Sequence, residues 1–487
     1  MEINISKSDW MFLLVCFGLG VLGEVSFFHG EIGLSYIVFI AVFYIVLFLR
    51  YRLAFQHRRI GLLLMMAIWI LAGSYVFYDN VLFYHLNLMI IPVLIYFHIV
   101  LITSPNHINW ATPRFIKIMA MKLQEGKNYC AAFFNKGFRK FFKNMDEEML
   151  QTVKRVLKGV VIGAPLLFII TGLLMSSDAV FQDVILRLPQ FIINLNFLES
   201  FWRVAVVIFL TLLFFGIFQV LHVKSEPEES FRPVKRTVVS WNSISAITIL
   251  IMLNAVYVLF AAIQFQYFFD AGLQEGYTFA EYARRGFFEL IVVTLINWTI
   301  LTACLKFVRE SSKALHWILK IMYSLLVLVS GVMLASAFQR LSMYEAAYGY
   351  TLDRLLAHAF MIFLIVIFAY TFIRVWMERL SLLHFYMIAG LLFYTAINAV
   401  NMEQMVVDKN LERYEQSGKI DIYYISSLSY TGLNGLIELY EADPNYPELK
   451  RMLDNKQQRL ENQTKKSWQA FNFTEQKVKE RLKNLEF

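Results

Sequence analysis

A chain of 487 residues that is 58% hydrophobic and only 17% charged falls short of the roughly one quarter charged residues of soluble proteins. A soluble globular protein is thereby excluded, and apolar runs that recur from end to end point to many membrane spans. The net charge of +8 reads as lysine and arginine held in cytoplasmic loops, so no nucleic-acid partner is expected.

A span needs about 20 mostly apolar residues, because the hydrocarbon core is about 30 Å thick and a helix rises about 1.5 Å per residue. Eleven segments meet this need, near 10–28, 32–49, 60–78, 81–103, 159–177, 201–222, 241–269, 287–306, 315–338, 355–376 and 381–400. All are predicted to be helices, since lipid offers the backbone no partners. The first has Lys7 ahead of its apolar run, as a signal peptide does. Gly23-Glu24 interrupts that run, no small-x-small cleavage site follows, and another span comes at once. We read it as a retained span. The fold class is therefore all-α, a polytopic transmembrane bundle of about eleven spans with a C-terminal helical appendage. Its parts are a four-span region (1–103), a basic loop (104–158), a seven-span core (159–400) and a tail (401–487).

The loops give an independent test of this layout. Alternate loops 50–59, 104–158, 223–240, 306–314 and 374–380 hold 24 lysines and arginines. The other set holds five: Arg187, Arg284, Arg285, Arg340 and Arg354. By the positive-inside rule the N-terminus is cytoplasmic, and an odd number of spans places the tail outside the cell membrane. Within the long inner loop, Phe134, Phe138 and Phe141 share one helical face while Lys136, Arg139, Lys140 and Lys143 occupy others. That pattern, over 134–143, suits a helix lying on the anionic lipids of the inner leaflet; a small helical domain packing those rings on itself is the alternative.

The tail is charged and mixed in sign. A helical stretch covers Leu433 to Leu439, a turn is expected at Asp443-Pro444-Asn445, and Asn472 is placed as the N-cap of a final helix. We expect a compact helical domain of about 80 residues, close to the lower size limit for independent stability.

Motifs of known chemistry are scarce. Gly18-Leu19-Gly20-Val21-Leu22-Gly23 spells a dinucleotide fingerprint but lies inside a span, where small residues let helices approach. Gly159 and Gly163 are read in the same way. There is no phosphate loop, no HExxH, no GxSxG and no paired CxxC, and Cys16, Cys130 and Cys304 lack disulfide or metal spacing. The nine histidines are scattered; His85 and His98, thirteen apart, do not share a metal. No catalytic residue, metal or cofactor is assigned. Asn87, Asn254, Gln264, Asn297, Asn398 and Asn401 are expected to bond between helices, and Lys320 to snorkel.

Three outer segments stand apart. In 176–181 a span ends at Ser176-Ser177-Asp178. In 277–290 Glu281, Arg285 and Glu289 share a face, with Arg284 adjacent. In 339–354 Arg340, Tyr344 and Tyr348 share a face, and Thr351 is placed to cap the next span. The stretches TFAEYARRGFFEL (278–290) and MYEAAYGYTLDRL (343–355) resemble the family of uncharacterised bacterial membrane proteins carrying the domain of unknown function 4173. SSDAVF, GKIDIYYISSLS (418–429) and SWQAFNF (467–473) are similar to its weaker signatures, and the resemblance runs from about 160 to 475. It implies a polytopic bacterial protein and brings no activity.

Charges near lipid are costly unless they are paired or face water. Asp178, Glu281, Glu289, Glu345 and Asp353 are candidate partners of the arginines, Arg354 included, with Glu24 and Asp79 close by in the layout. Two arrangements are open: a structural network that pins the outer loops, or an outward pocket whose Arg284, Arg285 and Arg340 take an anionic ligand beside Tyr344 and Tyr348. The leading expectation is a non-enzymatic protein that binds a small molecule or protein outside the cell. A transporter of a small anionic solute and a membrane-embedded transferase acting on a lipid-linked substrate are the alternatives.

Overall fold

The computed structural model describes residues 6–51, 55–141, 195–222, 240–269, 287–309, 312–462 and 466–485, with scattered positions between 149 and 177. The described chain is almost wholly helical. Its elements are α1 (Lys7–Phe27), α2 (Leu34–Tyr51), α3 (Arg58–Phe77), α4 (Val81–Thr103), α5 (Pro113–Phe141), α6 (Leu195–His222), α7 (Ser243–Phe269), α8 (Phe287–Phe307), α9 (Lys313–Tyr348), α10 (Leu352–Trp376) and α11 (Leu382–Ala399). The tail follows with α12 (Met402–Ser417), α13 (Ile422–Ser427), α14 (Tyr430–Ala442), α15 (Leu449–Glu461), a 3-10 turn (Trp468–Ala470) and α16 (Phe473–Lys483). A two-residue parallel pairing, Trp241 with Val308 and Asn242 with Arg309, ties the start of α7 to the end of α8.

Ten of these helices, α1–α4 and α6–α11, are long and apolar enough to cross a bilayer. The chain is an integral membrane protein. The eleventh expected span, 159–177, lies mostly outside the described residues. Large apolar side chains stand on the surface of these helices, such as Leu49 and Met89, each 76% exposed. That pattern suits lipid as solvent.

The chain divides into two compact units. The first comprises the described residues of Met1–Gly61, Tyr96–Glu226 and Lys466–Phe471; the second, those of Leu62–Ile95, Pro227–Lys465 and Asn472–Phe487. In the first unit α1 packs along α6, which also packs on α5. Gly20 and Gly23 make the first contact possible: a Cβ on Gly20 would lie 2.8 Å from the Val207 carbonyl, and one on Gly23 2.8 Å from Leu210. The fingerprint-like string is thus a helix-packing surface at those two positions, while Gly18, Gly159 and Gly163 have open space around them. The second contact is a crossing of Gly126 over Gly216. It lets Phe133 reach Phe215, with ring centroids 4.9 Å apart. At one end of α1, Arg50 donates to Gln219 Oε1 (2.8 Å), Gln219 donates to Asp9 Oδ1 (2.9 Å) and the guanidinium lies over the Phe12 ring. At the other end, Glu24 faces His29 and Arg203 at 3.6 and 3.7 Å. His98 is satisfied by Tyr44 at 2.8 Å, and in the second unit His85 is satisfied by the Val81 carbonyl.

In the second unit α7 to α10 enclose an apolar core that includes Leu250, Leu301, Leu326, Ala337 and Met361. The expected interhelical amide bonds are present: Asn254 donates to the Met322 carbonyl (3.1 Å) and Asn297 to Ser330 Oγ (3.0 Å). Lys320 extends to Glu378 at 2.8 Å. The Gln264 side chain lies outside the described residues. The tail helices share a separate core of Val407, Ile425, Leu436, Ile437, Leu449, Leu453 and Val478. Local signals set their ends as read from sequence: Asn472 Oδ1 accepts from Glu475 N, and Asp443 forms the turn after α14.

Candidate functional site

Segment 339–354 meets the tail at the turn between α9 and α10. Gly349 closes α9 with φ +87°, a backbone angle that favours glycine, and Thr351 Oγ1 accepts from Arg354 N to start α10. Residues 349–351 are then held from α12. Asn410 Nδ2 donates to the Tyr350 carbonyl at 2.8 Å, and its Oδ1 accepts from Tyr350 N at 3.0 Å. Arg413 donates to the Ala346 and Ala347 carbonyls at 3.2 and 2.8 Å. These are among the last carbonyls of α9, which have no partner within the helix, and the cation opposes the negative end of the helix dipole. Tyr424 Oη accepts from Leu352 N at 2.7 Å.

A second junction joins the α3–α4 loop to the tail. Glu403, in the first turn of α12, accepts from Asn80 Nδ2 at 2.7 Å and from both the backbone and hydroxyl of Ser429. Asp79 Oδ2 accepts from Tyr430 N at 2.9 Å, whereas its buried Oδ1 has no hydrogen-bond partner. Both carboxyls are held above the usual carboxylate range, chiefly by burial. Glu475 adds to the rise at Asp79, and Asp79 to that at Glu403. Asn472 Nδ2 donates to the Tyr75 and Tyr78 carbonyls, at 3.0 and 2.8 Å. Asn80 also lines a cavity of about 20 Å³ with Ser74, Tyr75, Tyr84, Asn398 and Asn401, large enough for one water. Asn87 bonds Asn398, Ser74 and Tyr394 at 2.8, 3.1 and 2.6 Å.

Of the residues singled out in sequence, the Tyr344 and Tyr348 rings lie 5.0 Å apart, tilted by 44°, and the Arg354 guanidinium lies 4.2 Å over the Tyr344 ring. Arg354 also donates to the Gly349 carbonyl. Arg340 is half-buried on α9, and Tyr348 is 58% exposed. Glu345 is buried and bonds His358 Nε2 at 3.0 Å, with Phe338 against the imidazole. Glu289 and Asp353 are exposed in the first turns of α8 and α10. Asp178, Glu281, Arg284 and Arg285 lie outside the described residues. Sequence reading missed Glu403, Asn410, Arg413 and Ser429 as members of these junctions, and His358 as the partner of Glu345. Asn401, expected to bond between helices, caps α12 and donates to Thr431. Among the described residues no group of three or more histidine, cysteine or acidic side chains is placed to hold a metal.

The arrangement can clamp a helical domain onto loop ends, and it presents a tilted tyrosine pair with a cation. No curated protein and no solved structure matches the chain. A family model, the domain of unknown function DUF4153, matches residues 65–439. The outer motifs are likened above to domain 4173; the matching model carries a different number, and the two agree in being uncharacterised. The chain belongs to the DUF4153 family.

Proposed function

We propose that this member of the DUF4153 family binds or senses a ligand or protein partner at the extracytoplasmic face of the cell membrane, without catalysing a reaction. The observation that carries the reading is the ledge of Tyr344, Tyr348 and Arg354 beside the turn that the tail clamps. An aromatic pair with one exposed ring, Tyr348, beside a cation is suited to an anionic or aromatic group, and Arg284, Arg285 and Arg340 are the further anchors proposed for an anion. The outward orientation rests on the excess of basic residues in the alternate loops. It is supported by the hydrogen bonds that join the α3–α4 loop and the α9–α10 turn to the tail, since all three belong to one side in that layout.

Two experiments test this. A cysteine placed at the exposed Glu415 reacts with a membrane-impermeant thiol reagent on intact cells if the tail is outside, and stays unlabelled if it is inside. If Arg284→Ala, Arg340→Ala and Tyr348→Ala variants fold normally and still rescue every phenotype of a deletion strain, the binding reading fails.

At the opposite face, the proposed lipid contact through 134–143 extends to the rest of α5. Its buried side carries Phe115, Ile118, Tyr129 and Phe133, while Arg114, Lys117, Lys127 and Lys136 are exposed together with Ile116, Leu123 and Phe134. The side chains of 138–143 lie outside the described residues.

One observation favours transport of a small anionic solute as a second reading. Glu345 Oε1 and His358 Nδ1 are both buried without a hydrogen-bond partner, on helices apolar enough to span. Ionisable pairs at such positions recur in proton relays. Solute flux into proteoliposomes equal to that into empty vesicles argues against it.

A further inference from the structure

The junction of the α3–α4 loop with the tail contains an arrangement that ordinary helix capping does not need. The amides at the start of α14 are received by two carboxylates from different elements: Tyr430 N by Asp79, and Ser429 N by Glu403. The groups facing them are neutral or acidic. They are Asn80 from the loop, the Ser429 hydroxyl, and Glu475 from α16. The cations on the packed elements pair with other groups: Lys479 lies 5.5 Å over the Tyr430 ring and pairs with Glu475 at 2.7 Å, Arg481 of α16 pairs with Glu438 and Glu441, and Arg354, at the start of α10, donates to Gly349. Among the described residues neither carboxylate takes part in an ion pair. Two buried negative charges at one joint, neither in an ion pair, oppose its closure.

We infer that Asp79 and Glu403 form a proton-operated latch, which fastens α14 of the tail to the α3–α4 loop more tightly as the surroundings acidify and loosens it as pH rises. Asp79 Oδ1 is the natural seat for the proton. It is buried and bonded to nothing, so protonation there leaves the Oδ2 bond from Tyr430 in place. The sign follows from linkage. Carboxyls held above their unfolded range bind protons more readily in the docked state, so docking gains as pH falls through the raised range and is weakest above it. The latch rests on hydrogen bonds within the tail junction and stands whichever side of the membrane the tail faces.

Hydrogen exchange on the full chain in zwitterionic nanodiscs tests it between pH 5 and pH 8. Wild type is compared with Asp79→Asn at each pH, so the intrinsic pH dependence of exchange cancels. At pH 8 the α14 amides of wild type are expected to exchange several-fold faster than those of Asp79→Asn, and the gap is expected to close by pH 5. A gap that does not change with pH, or wild-type protection that falls on acidification, overturns the latch. If Asp79→Asn does not fold, Glu403→Gln serves in its place. Failing both, protection of α14 relative to α15, which is bonded to neither carboxylate, must rise toward acid in wild type.

Discussion

Asn410 and Tyr350 exchange a reciprocal pair of hydrogen bonds, the amide side chain of one meeting both backbone groups of the other. Tyr350 follows the glycine that ends α9, where no helix or strand partner is at hand, so Asn410 supplies what secondary structure does not. The same Nδ2 also donates to the Val406 carbonyl one turn back, at 2.8 Å.

Replacing Asn410 with alanine should leave two backbone groups without their partner and weaken tail docking by about 2–3 kcal/mol. Gly349→Ala should act on the same joint, because a Cβ there would lie 2.8 Å from Asn410 Oδ1 at φ +87°, with a backbone cost of about 1–3 kcal/mol. Limited proteolysis of the tail in nanodiscs reads both. Wild-type resistance in Asn410→Ala would contradict this account of the turn.

Arg413→Lys keeps the charge and loses the fork. Three carbonyls, of Ala346, Ala347 and Lys419, now share its donors. We expect a loss on the order of 2 kcal/mol in Arg413→Lys, most of that seen in Arg413→Ala. If the lysine variant melts with wild type, the dipole term is the one that matters.

In the first unit, Gly216→Val should separate α5 from α6, since a Cβ meets the Gly126 carbonyl at 2.8 Å and Cys130 Sγ at 2.9 Å. A cost of about 1–3 kcal/mol is expected. Gly331→Ala, with open space around it, should be neutral or slightly stabilising. Thermal denaturation of the two variants side by side tests the contrast.

Asn87→Ala removes three side-chain bonds at once. Such bonds in membrane proteins average about 0.6 kcal/mol each, so a loss on the order of 1–2 kcal/mol is expected in denaturant titration. A loss several times larger would mean that the water-sized cavity beside it collapses as well.

The helices were legible because lipid demands length and hydropathy, which one sequence displays; α3, α8 and α10 begin and end close to where the apolar runs do. Caps such as Thr351 and Asn472 were legible for the same local reason. The clamp was not. Asn410 and Arg413 stand in a helix polar on most sides, where nothing distinguishes a solvated arginine from one that closes another helix. Glu345 offers the sharper case. It was matched with arginines nearby in sequence, yet the described partner is His358, brought back by the tight turn at Gly349. Pairing between helices depends on their rotation about the bundle, which period and composition leave open.

The length of α9 has a mechanical consequence. Its 36 residues extend about 54 Å, against about 30 Å of hydrocarbon. Along the bilayer normal such a helix leaves about 24 Å beyond the lipid tails, less where it tilts, and its last turn is fastened by Arg413. A body so attached behaves as a handle on a lever arm: rocking the tail tilts α9 along its whole length, because no flexible linker lies between them to absorb the movement. Spin labels at the two ends of α9 should then shift together when the tail is restrained. If only the end nearer the tail responds, the helix bends and the handle is disconnected.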